Sequence, residues 1–397
     1  MSSCSDGLRV LFVTTGYPSE RGPSHNVVIH RSIEALSRHL DPQVVHLRAW
    51  LPGRPLIEKR NWQGIPVLSL SCPQNHLGSA SHLNTILLTM FGYMFAKSEL
   101  NATNLLHATE LYPAGFVARQ WGRATDRPHT AHAIGSDVNV FLPSIIKRAG
   151  TEWLYSFGGI ACNSVPIMAR LSELVPGLRH MRVVHRGVNV NEFTPEGKVS
   201  GPQSAMPPVR FMYLGGFHTW DSRSTLYNLK GGPILLDTWR RIEDRIAPCS
   251  LYVGGPGADV PVLEKWRAGL KMPERVFLSG PVAPLDVPPL LRSCDVVVIP
   301  SLNEGLPNLA NEAQACGRPV LATDVGGTAE SVIHDKTGRL VRPGDVDALA
   351  SGFEWFAGHP TEIAAMGVQA RRHIVEDFSW KKFSGEMMAI FDAATSQ

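Results

Sequence analysis

Short apolar runs recur along the chain, separated by stretches of helical length. Leu8-Arg-Val-Leu-Phe-Val13 is the first of them, and Asp295-Val-Val-Val-Ile299 is the most uniformly apolar. Runs that are apolar on both faces belong to parallel strands covered by helices on either side, so the alternation predicts an α/β chain with doubly wound sheets. In the first half, strands are expected near 8–13, 43–48, 66–70, 104–108, 128–133, 159–162 and 182–185. Helices are expected near 26–39, 82–98, 112–122, 143–154 and 165–174. The stretch 196–208 is rich in Gly, Pro and Ser and lacks apolar periodicity, so it reads as a linker. Beyond it, strands are expected near 209–214, 249–253, 275–278, 295–299, 319–322 and 339–341, each followed by a Gly- or Pro-rich turn and a helix. Two Rossmann-like domains result, 1–195 and 209–375, with ligand expected in a cleft at the carboxyl ends of the strands. The last stretch, 376–397, is amphipathic and reads as a helix whose Trp and Phe residues anchor it to a core.

Length agrees with this division, since 397 residues exceed what one core usually serves. A composition of 44% apolar and 18% charged residues with a net charge of +3 is that of an ordinary soluble protein, and argues against nucleic acid as a partner. Six cysteines lie scattered, without a Cys-x-x-Cys pair or a histidine at metal spacing, so neither a disulfide framework nor a metal site is expected and a cytoplasmic location fits. Met1 to Gly7 is polar and runs directly into a strand, which gives no secretory leader. The apolar run Leu83 to Ala96 is too short to span a bilayer and contains Asn84, Thr85, Thr89 and Gly92. It reads as a buried helix in preference to one lying on a membrane surface.

The candidate chemistry follows the strand that ends at Pro300-Ser301. Pro307 suits a first helical position and Gly317 a C-terminal cap, which predicts a helix over 307–316. Glu304 and Gly305 then stand just before a helix N-terminus, where the backbone N–H groups of Leu306 to Leu309 can face an anion such as a diphosphate. Glu312, inside the helix, can accept hydrogen bonds from a pair of sugar hydroxyls. Taken alone, the two glutamates read more simply as a loop carboxylate favoured by the helix dipole and a solvated one. The turns Gly254-Gly-Pro-Gly257 and Leu278-Ser-Gly280-Pro-Val282 are further places where backbone can approach a ligand closely.

The surrounding sequence reverses the simpler reading. Pro300-Ser-Leu-Asn-Glu-Gly-Leu-Pro-Asn-Leu-Ala-Asn-Glu-Ala-Gln-Ala-Cys-Gly-Arg-Pro-Val320 is followed by Ala322-Thr-Asp-Val-Gly-Gly-Thr-Ala-Glu330 and Thr337-Gly-Arg-Leu-Val341. This resembles the family-four GT-B retaining glycosyltransferases, the glycosyl transferases of group 1. Their two glutamates, with seven residues between them, precede a Gly-x-Pro-Val strand and a Gly-Gly-x-x-Glu turn. The likeness is specific over 209–345 and weaker over the N-terminal half. It implies the GT-B fold, two Rossmann-like domains facing across a cleft, with the C-terminal helix crossing back to the first. It also implies transfer of a sugar, with retention, from a nucleoside-diphosphate donor, UDP or GDP, without metal or covalent cofactor.

Residue by residue, the resemblance places Glu304 beside the donor sugar with the backbone of Gly305, Leu306, Pro307 and Asn308, puts Glu312 on the ribose, and sets Lys230 against the diphosphate. Gly215, Gly216, Gly254 and Gly280 join the donor side, the last beside the base, and Gly16 faces donor and acceptor. Asp137 is the first-half candidate for catalysis or acceptor recognition, with His132, Asn26 and Glu110 as further acceptor-side candidates and His25 beside Asn26. The family's phosphate-binding arginine is missing, because Gly216 stands in its place; Arg223 or Arg186 are the substitutes. The acceptor expected is a saccharide, a lipid-linked or a small-molecule hydroxyl compound, in cell-surface polysaccharide or glycoconjugate biosynthesis, with peripheral contact at the inner membrane face. Natural-product glycosylation, nucleotide-sugar 2-epimerisation and an inactive sugar-nucleotide-binding partner are the alternatives.

Overall fold

Strands form where apolar residues are unbroken on both faces. In β1, Arg9–Thr14, the residues Val10, Leu11, Phe12 and Val13 are all essentially inaccessible. The computed structural model describes residues 7–19, 26–72, 82–201, 209–215, 229–255 and 260–396. Contacts divide the chain into two units, Met1–Gly187 with Trp380–Gln397, and Val188–Ser379.

The first unit continues with β2 (Asp41–Ala49), β3 (Ile57–Trp62), β4 (Ile65–Cys72), β5 (Leu105–Ala108), β6 (His129–Ala133), β7 (Gly159–Cys162) and β8 (Met181–Val183). They form one sheet in the order β3-β4-β2-β1-β5-β6-β7-β8. Its order reverses between β1 and β5, so the carboxyl ends of those two strands lie side by side at a switch point. The strands observed fall within two residues of the expected ones, β3 excepted. This strand, Ile-Glu-Lys-Arg-Asn-Trp, alternates in burial at the sheet edge and pairs antiparallel with β4 through the turn Gln63-Gly64, whose φ values of 49° and 92° suit a two-residue hairpin.

Helices α1 (Val27–Leu36), α2 (His82–Phe95), α3 (Lys97–Asn101), α4 (Ala114–Thr125), α5 (Leu142–Ala149) and α6 (Val165–Leu174) cover the sheet. The expectation for α2 is overturned. Leu83, Ile86, Leu87, Met90, Met94 and Phe95 are exposed, while Asn84, Thr85, Leu88 and Gly92 are buried. Small residues face inward because the helix sits hard against its neighbours. A Cβ on Gly92 would lie 2.4 Å from the Trp121 ring, Trp121 Nε1 donates to the Thr89 carbonyl at 2.9 Å, and the Thr85 and Tyr112 hydroxyls bond at 2.7 Å.

In the second unit β9 (Arg210–Leu214), β10 (Ser250–Gly254), β11 (Val276–Leu278), β12 (Val296–Ile299), β13 (Val320–Thr323) and β14 (Gly338–Val341) form a parallel sheet ordered β11-β10-β9-β12-β13-β14. Its switch point lies between β9 and β12. The helices are α7 (Gly232–Ile242), α8 (Val260–Ala268), α9 (Val287–Ser293), α10 (Asn308–Ala315), α11 (Thr328–Ser331), α12 (Val346–Gly358) and α13 (Pro360–Asp377). Phe211, Trp239 and Phe353 pack edge to face in one layer of its core.

The division of the chain differs from the expected one at both joints. Val188 to Pro195 belong to the second unit, because Val188 bridges to Ser379 and the Arg371 guanidinium donates to the carbonyls of Phe193 and Val190 at 2.7 and 2.9 Å. The start of the expected linker is likewise tied down, Arg292 Nε donating to the Lys198 carbonyl at 2.7 Å. The final helix, α14 (Trp380–Thr395), lies in the first unit, where Phe383, Met387, Ile390 and Phe391 share a core with Val10, Phe12, Ile29 and Ile33. Among the described residues no helix is long and apolar enough to cross a membrane.

Candidate functional site

At the switch point of the second sheet, a cavity of about 270 Å³ opens between the end of β9 and the loop after β12, lined by Tyr213, Gly215, Lys230, Ser301, Glu304 and Leu306 to Leu309. Two glycines shape its walls. Gly231, at φ 72°, starts α7 so close to the β12 loop that a Cβ would fall 1.8 Å from the Pro300 carbonyl oxygen. Gly326, at φ 53°, backs onto the Glu304 carbonyl at the same hypothetical 1.8 Å, and the Gly327 N–H donates to the Gly305 carbonyl at 2.9 Å. A side chain at either place would push the wall into the cavity. The Leu302 N–H donates to the Leu229 carbonyl at 2.7 Å, which couples the lysine loop to the glutamate loop.

Within this frame the Glu304 carboxylate receives the Ser301 hydroxyl and the Lys230 ammonium on the same oxygen, each at 2.7 Å. The Glu304 side chain is 10% exposed, that of Lys230 48% exposed, so the cation sits at the open side. Thr323 holds the Ser301 carbonyl from below. Helix α10 begins at Asn308 after an extended Pro307, with no side-chain cap among the described residues, and its first N–H groups open toward the cavity that Asn308 and Leu309 line. It is shorter by a residue at each end than expected. Its far side is pinned to α11 by buried bonds from Gln314 Nε2 to the Ser331 carbonyl at 2.9 Å and from Ser331 Oγ to Asn311 Oδ1 at 2.5 Å. Glu312 is half-buried on the same helix.

Glycines at the ends of three strands come together beside this cavity. The Gly215 N–H donates to the Gly254 carbonyl at 3.0 Å, and the Gly255 N–H to the Gly280 carbonyl at 3.2 Å. Gly216 and Arg223 lie outside the described residues. Tyr213 and Ser301 were not among the expected site residues. Burial, and then the Glu304 charge, push the Tyr213 phenol well above its usual range, and its hydroxyl reaches the Lys230 carbonyl at 3.4 Å. The Pro300-Ser301 turn three residues ahead of a glutamate was the signal for Ser301.

The carboxyl edge of the first sheet is built differently. Asp137 is 1% exposed, and its two oxygens accept from the backbone N–H groups of Leu111 at 2.7 Å, Gly135 at 2.8 Å, Val138 at 3.0 Å and Ile134 at 3.1 Å. A carboxylate has about four acceptor positions, so none remains for a substrate. Burial raises its pKa against the pull of those N–H groups. The geometry thus makes Asp137 the clamp of the loop after β6, in place of the acceptor contact expected. Glu110, also buried, accepts from the Thr15 N–H at 3.0 Å, the Thr15 hydroxyl at 2.7 Å and the Thr109 hydroxyl at 2.6 Å, and so ties the ends of β1 and β5 together. Burial raises its pKa too.

His132 and Arg186 also differ from expectation. The His132 ring is stacked on Phe383, 6.2 Å between centroids, and is 3% exposed; burial holds its pKa well below the usual value. Neighbouring His107 is lowered to about 3 for the same reason, with the Arg186 charge adding to it. Arg186 is 6% exposed, and burial lowers its pKa to about 10 while the charges of Asp137 and Glu110 oppose the shift. It is a buried counter-charge inside the first unit, not an arginine free to grip a diphosphate. Gly16 and Asn26 are brought together, since a Cβ on Gly16 would meet Asn26 Nδ2 at 2.1 Å. His25 lies outside the described residues. Among the described residues no group of three or more His, Cys, Asp or Glu side chains is placed to hold a metal ion.

Residues 221–357 match the family model described as glycosyl transferases group 1. The D-inositol 3-phosphate glycosyltransferase of Streptomyces avermitilis is 34% identical over 297 residues, covering 70% of this chain and 62% of the relative. That of Jonesia denitrificans is 31% identical over 225 residues, 53% of this chain and 51% of the relative. The chain therefore spans between about half and three fifths of the length of these curated relatives. Among solved structures, sucrose-phosphate synthase from Thermosynechococcus elongatus superposes with a TM-score of 0.72 at 17% identity, over 97% of this chain and 98% of that one. The Anabaena HepE protein in complex with UDP and glucose superposes with a TM-score of 0.71 at 16% identity, over 97% and 100%. At such identities the likeness establishes the fold, GT-B with two parallel-sheet Rossmann-like domains.

Proposed function

We propose that this chain, a member of the group 1 glycosyl transferases, moves a sugar from a nucleoside-diphosphate donor to a hydroxyl acceptor with retention of anomeric configuration. The observation that carries the reading is the Lys230–Glu304–Ser301 cluster beside the start of α10, inside the span that matches the family. Bond breaking between the anomeric carbon and the phosphate oxygen leaves charge on the diphosphate. Lys230 and the first N–H groups of α10 are the groups that stabilise it. Their pre-set positions supply the stabilisation without reorganisation.

On this reading Lys230 exchanges Glu304 for the diphosphate when the donor enters, and Glu304, still held by Ser301, turns its second oxygen to the sugar. Gly305 to Asn308 line sugar and phosphate, Glu312 accepts from the ribose hydroxyls, and the Gly254 and Gly280 turns flank the nucleoside. The acceptor oxygen attacks on the face the diphosphate leaves, and its proton passes to the departing phosphate oxygen, so nucleoside diphosphate and glycoside are the two products. Gly16 and Asn26 are the first-unit groups suited to the acceptor. UDP is the favoured nucleotide, because HepE is a UDP-glucose and UDP complex. A saccharide-type hydroxyl acceptor fits the relatives' names, and cell-surface glycoconjugate assembly is the pathway proposed.

Incubating purified protein with labelled UDP-, GDP- and TDP-sugars and a panel of saccharide and polyol acceptors tests this. Donor consumption that needs Lys230 and yields an α-glycoside from an α-linked donor is the expected result. Conversion of the donor alone to its 2-epimer, or an inverted product, would overturn the reading.

A further inference from the structure

Among the described residues that line the cavity of the second unit, Lys230 is the one cation. Its side chain is half in water, where a long flexible stem keeps much of its rotamer freedom, so its aim is set by the backbone that carries it. Three successive residues tie that backbone down. The Leu229 carbonyl accepts from the Leu302 N–H at 2.7 Å, and Gly231, at φ 72°, lies so near the Pro300 carbonyl that no Cβ fits. Between them the Lys230 carbonyl accepts from the Tyr213 hydroxyl at 3.4 Å. A carbonyl at the start of a helix is ordinarily met by an N–H three or four residues further on. Three residues on from Lys230 stands Pro233, in the first turn of α7, which has no N–H to give. Among the described residues the phenol is the one donor to that carbonyl.

Tyr213 is suited to this task. Its ring is 2% exposed, in the core it shares with Leu235 and Leu236 of α7, which holds the phenol in place. Burial, and then the charge of Glu304, keep the phenol protonated and so a donor. Its hydroxyl comes out beneath Gly215, where a Cβ would lie 2.2 Å from it. Phenylalanine would fill nearly the same volume without the donor, so packing alone does not call for a tyrosine.

We propose that Tyr213 is a positioning residue of the donor site: its hydroxyl fixes the Lys230 peptide, and through it the direction from which the ammonium meets the diphosphate. The bond is long for a hydroxyl donor, so its share in binding is modest. The inference rests on the reading of the cavity as a nucleoside-diphosphate site and concerns the phosphate end of that ligand alone.

Isothermal titration of UDP, GDP and TDP into the wild-type chain first identifies the nucleotide that binds. Tyr213→Phe, Lys230→Ala and the double variant are then compared for that diphosphate and, by competition, for its nucleoside, which offers Lys230 no phosphate. Tyr213→Phe is expected to weaken binding of the diphosphate about fivefold, the worth of one hydrogen bond. It should leave the nucleoside and the urea midpoint unchanged, and add nothing in the Lys230→Ala background. An unchanged diphosphate affinity overturns the proposal. So does an effect equal for diphosphate and nucleoside, or one undiminished in the Lys230→Ala background, since either means that the hydroxyl acts on the fold and not through the lysine. A wild-type chain that binds none of the three nucleotides overturns the nucleoside-diphosphate reading and this inference with it, a failure told apart because it shows before any substitution is made.

Discussion

Glu304 and Asp137 each follow a strand of a parallel sheet, in the loop where such folds place their ligands. The partners differ. Asp137 is surrounded by four backbone N–H groups, which cannot move without unfolding the loop they belong to. Glu304 is held by two side chains, one of them a half-exposed lysine at the mouth of a cavity. Side-chain partners can be exchanged for a ligand at the cost of a rotamer change; backbone partners cannot. The contrast separates a carboxylate that maintains a loop from one that can turn to a substrate, although both stand in motif-like segments.

The largest effect expected from this contrast is on stability. Asp137→Ala leaves the N–H groups of Leu111, Ile134 and Gly135 without their acceptor and should destabilise the first unit by about 3 kcal/mol or more, read as a drop in the urea midpoint. Lys230→Ala should stay within about 1 kcal/mol of wild type, since its ion pair is half in water. Equal stability of the two variants would erase the distinction. In activity the order inverts: Lys230→Ala is expected to lower kcat by about a hundredfold or more in steady-state transfer assays.

Acid should expose the buried histidines next. His107 and His132 have folded-state pKa values below the ordinary one, about 3 for His107. Between about 6.5, the unfolded value, and the folded one, the unfolded chain binds the extra proton, so stability falls as pH falls through that window. The slope is at most about 1.4 kcal/mol per pH unit for each histidine. Urea unfolding followed from neutral pH down to about pH 5 measures it, net of Glu110 and Asp137, whose raised values act in the opposite sense. His132→Phe should flatten the profile. The smallest effect belongs to Ser301→Ala, which frees Glu304 from one of its two restraints and should raise the donor KM roughly fivefold, the worth of one hydrogen bond, with pH-independent stability unchanged.

Strands were legible in the sequence because burial on both faces leaves apolar runs such as Val296–Ile299 uninterrupted. Strand β3, polar on one face and at the sheet edge, carries no such run, and the Gln63-Gly64 turn was its sole local marker. Helix α2 shows the reverse failure: composition suggested burial, but side orientation is decided by Gly92 against Trp121, a contact between segments far apart in sequence. The second-unit site was legible through its glutamates and the Gly-Gly-x-x-Glu turn, whose Gly326 stands where no Cβ fits; Gly231, equally constrained, emerges from the folded backbone. Asp137 misled because its segment resembles a ligand-binding one, while the loop geometry that turns four N–H groups onto it, with Gly135 at φ 144°, is a property of the folded backbone.

The central claim is that the cavity beside Lys230 and Glu304 holds a nucleoside diphosphate. Isothermal titration of UDP, with GDP and TDP in parallel, into the wild-type chain and into Lys230→Ala tests it directly. Saturable binding at one site by at least one nucleotide, weakened about tenfold or more by the substitution, is the result expected. A folded wild-type chain that binds none of the three, or one whose affinity Lys230→Ala leaves unchanged, would contradict it.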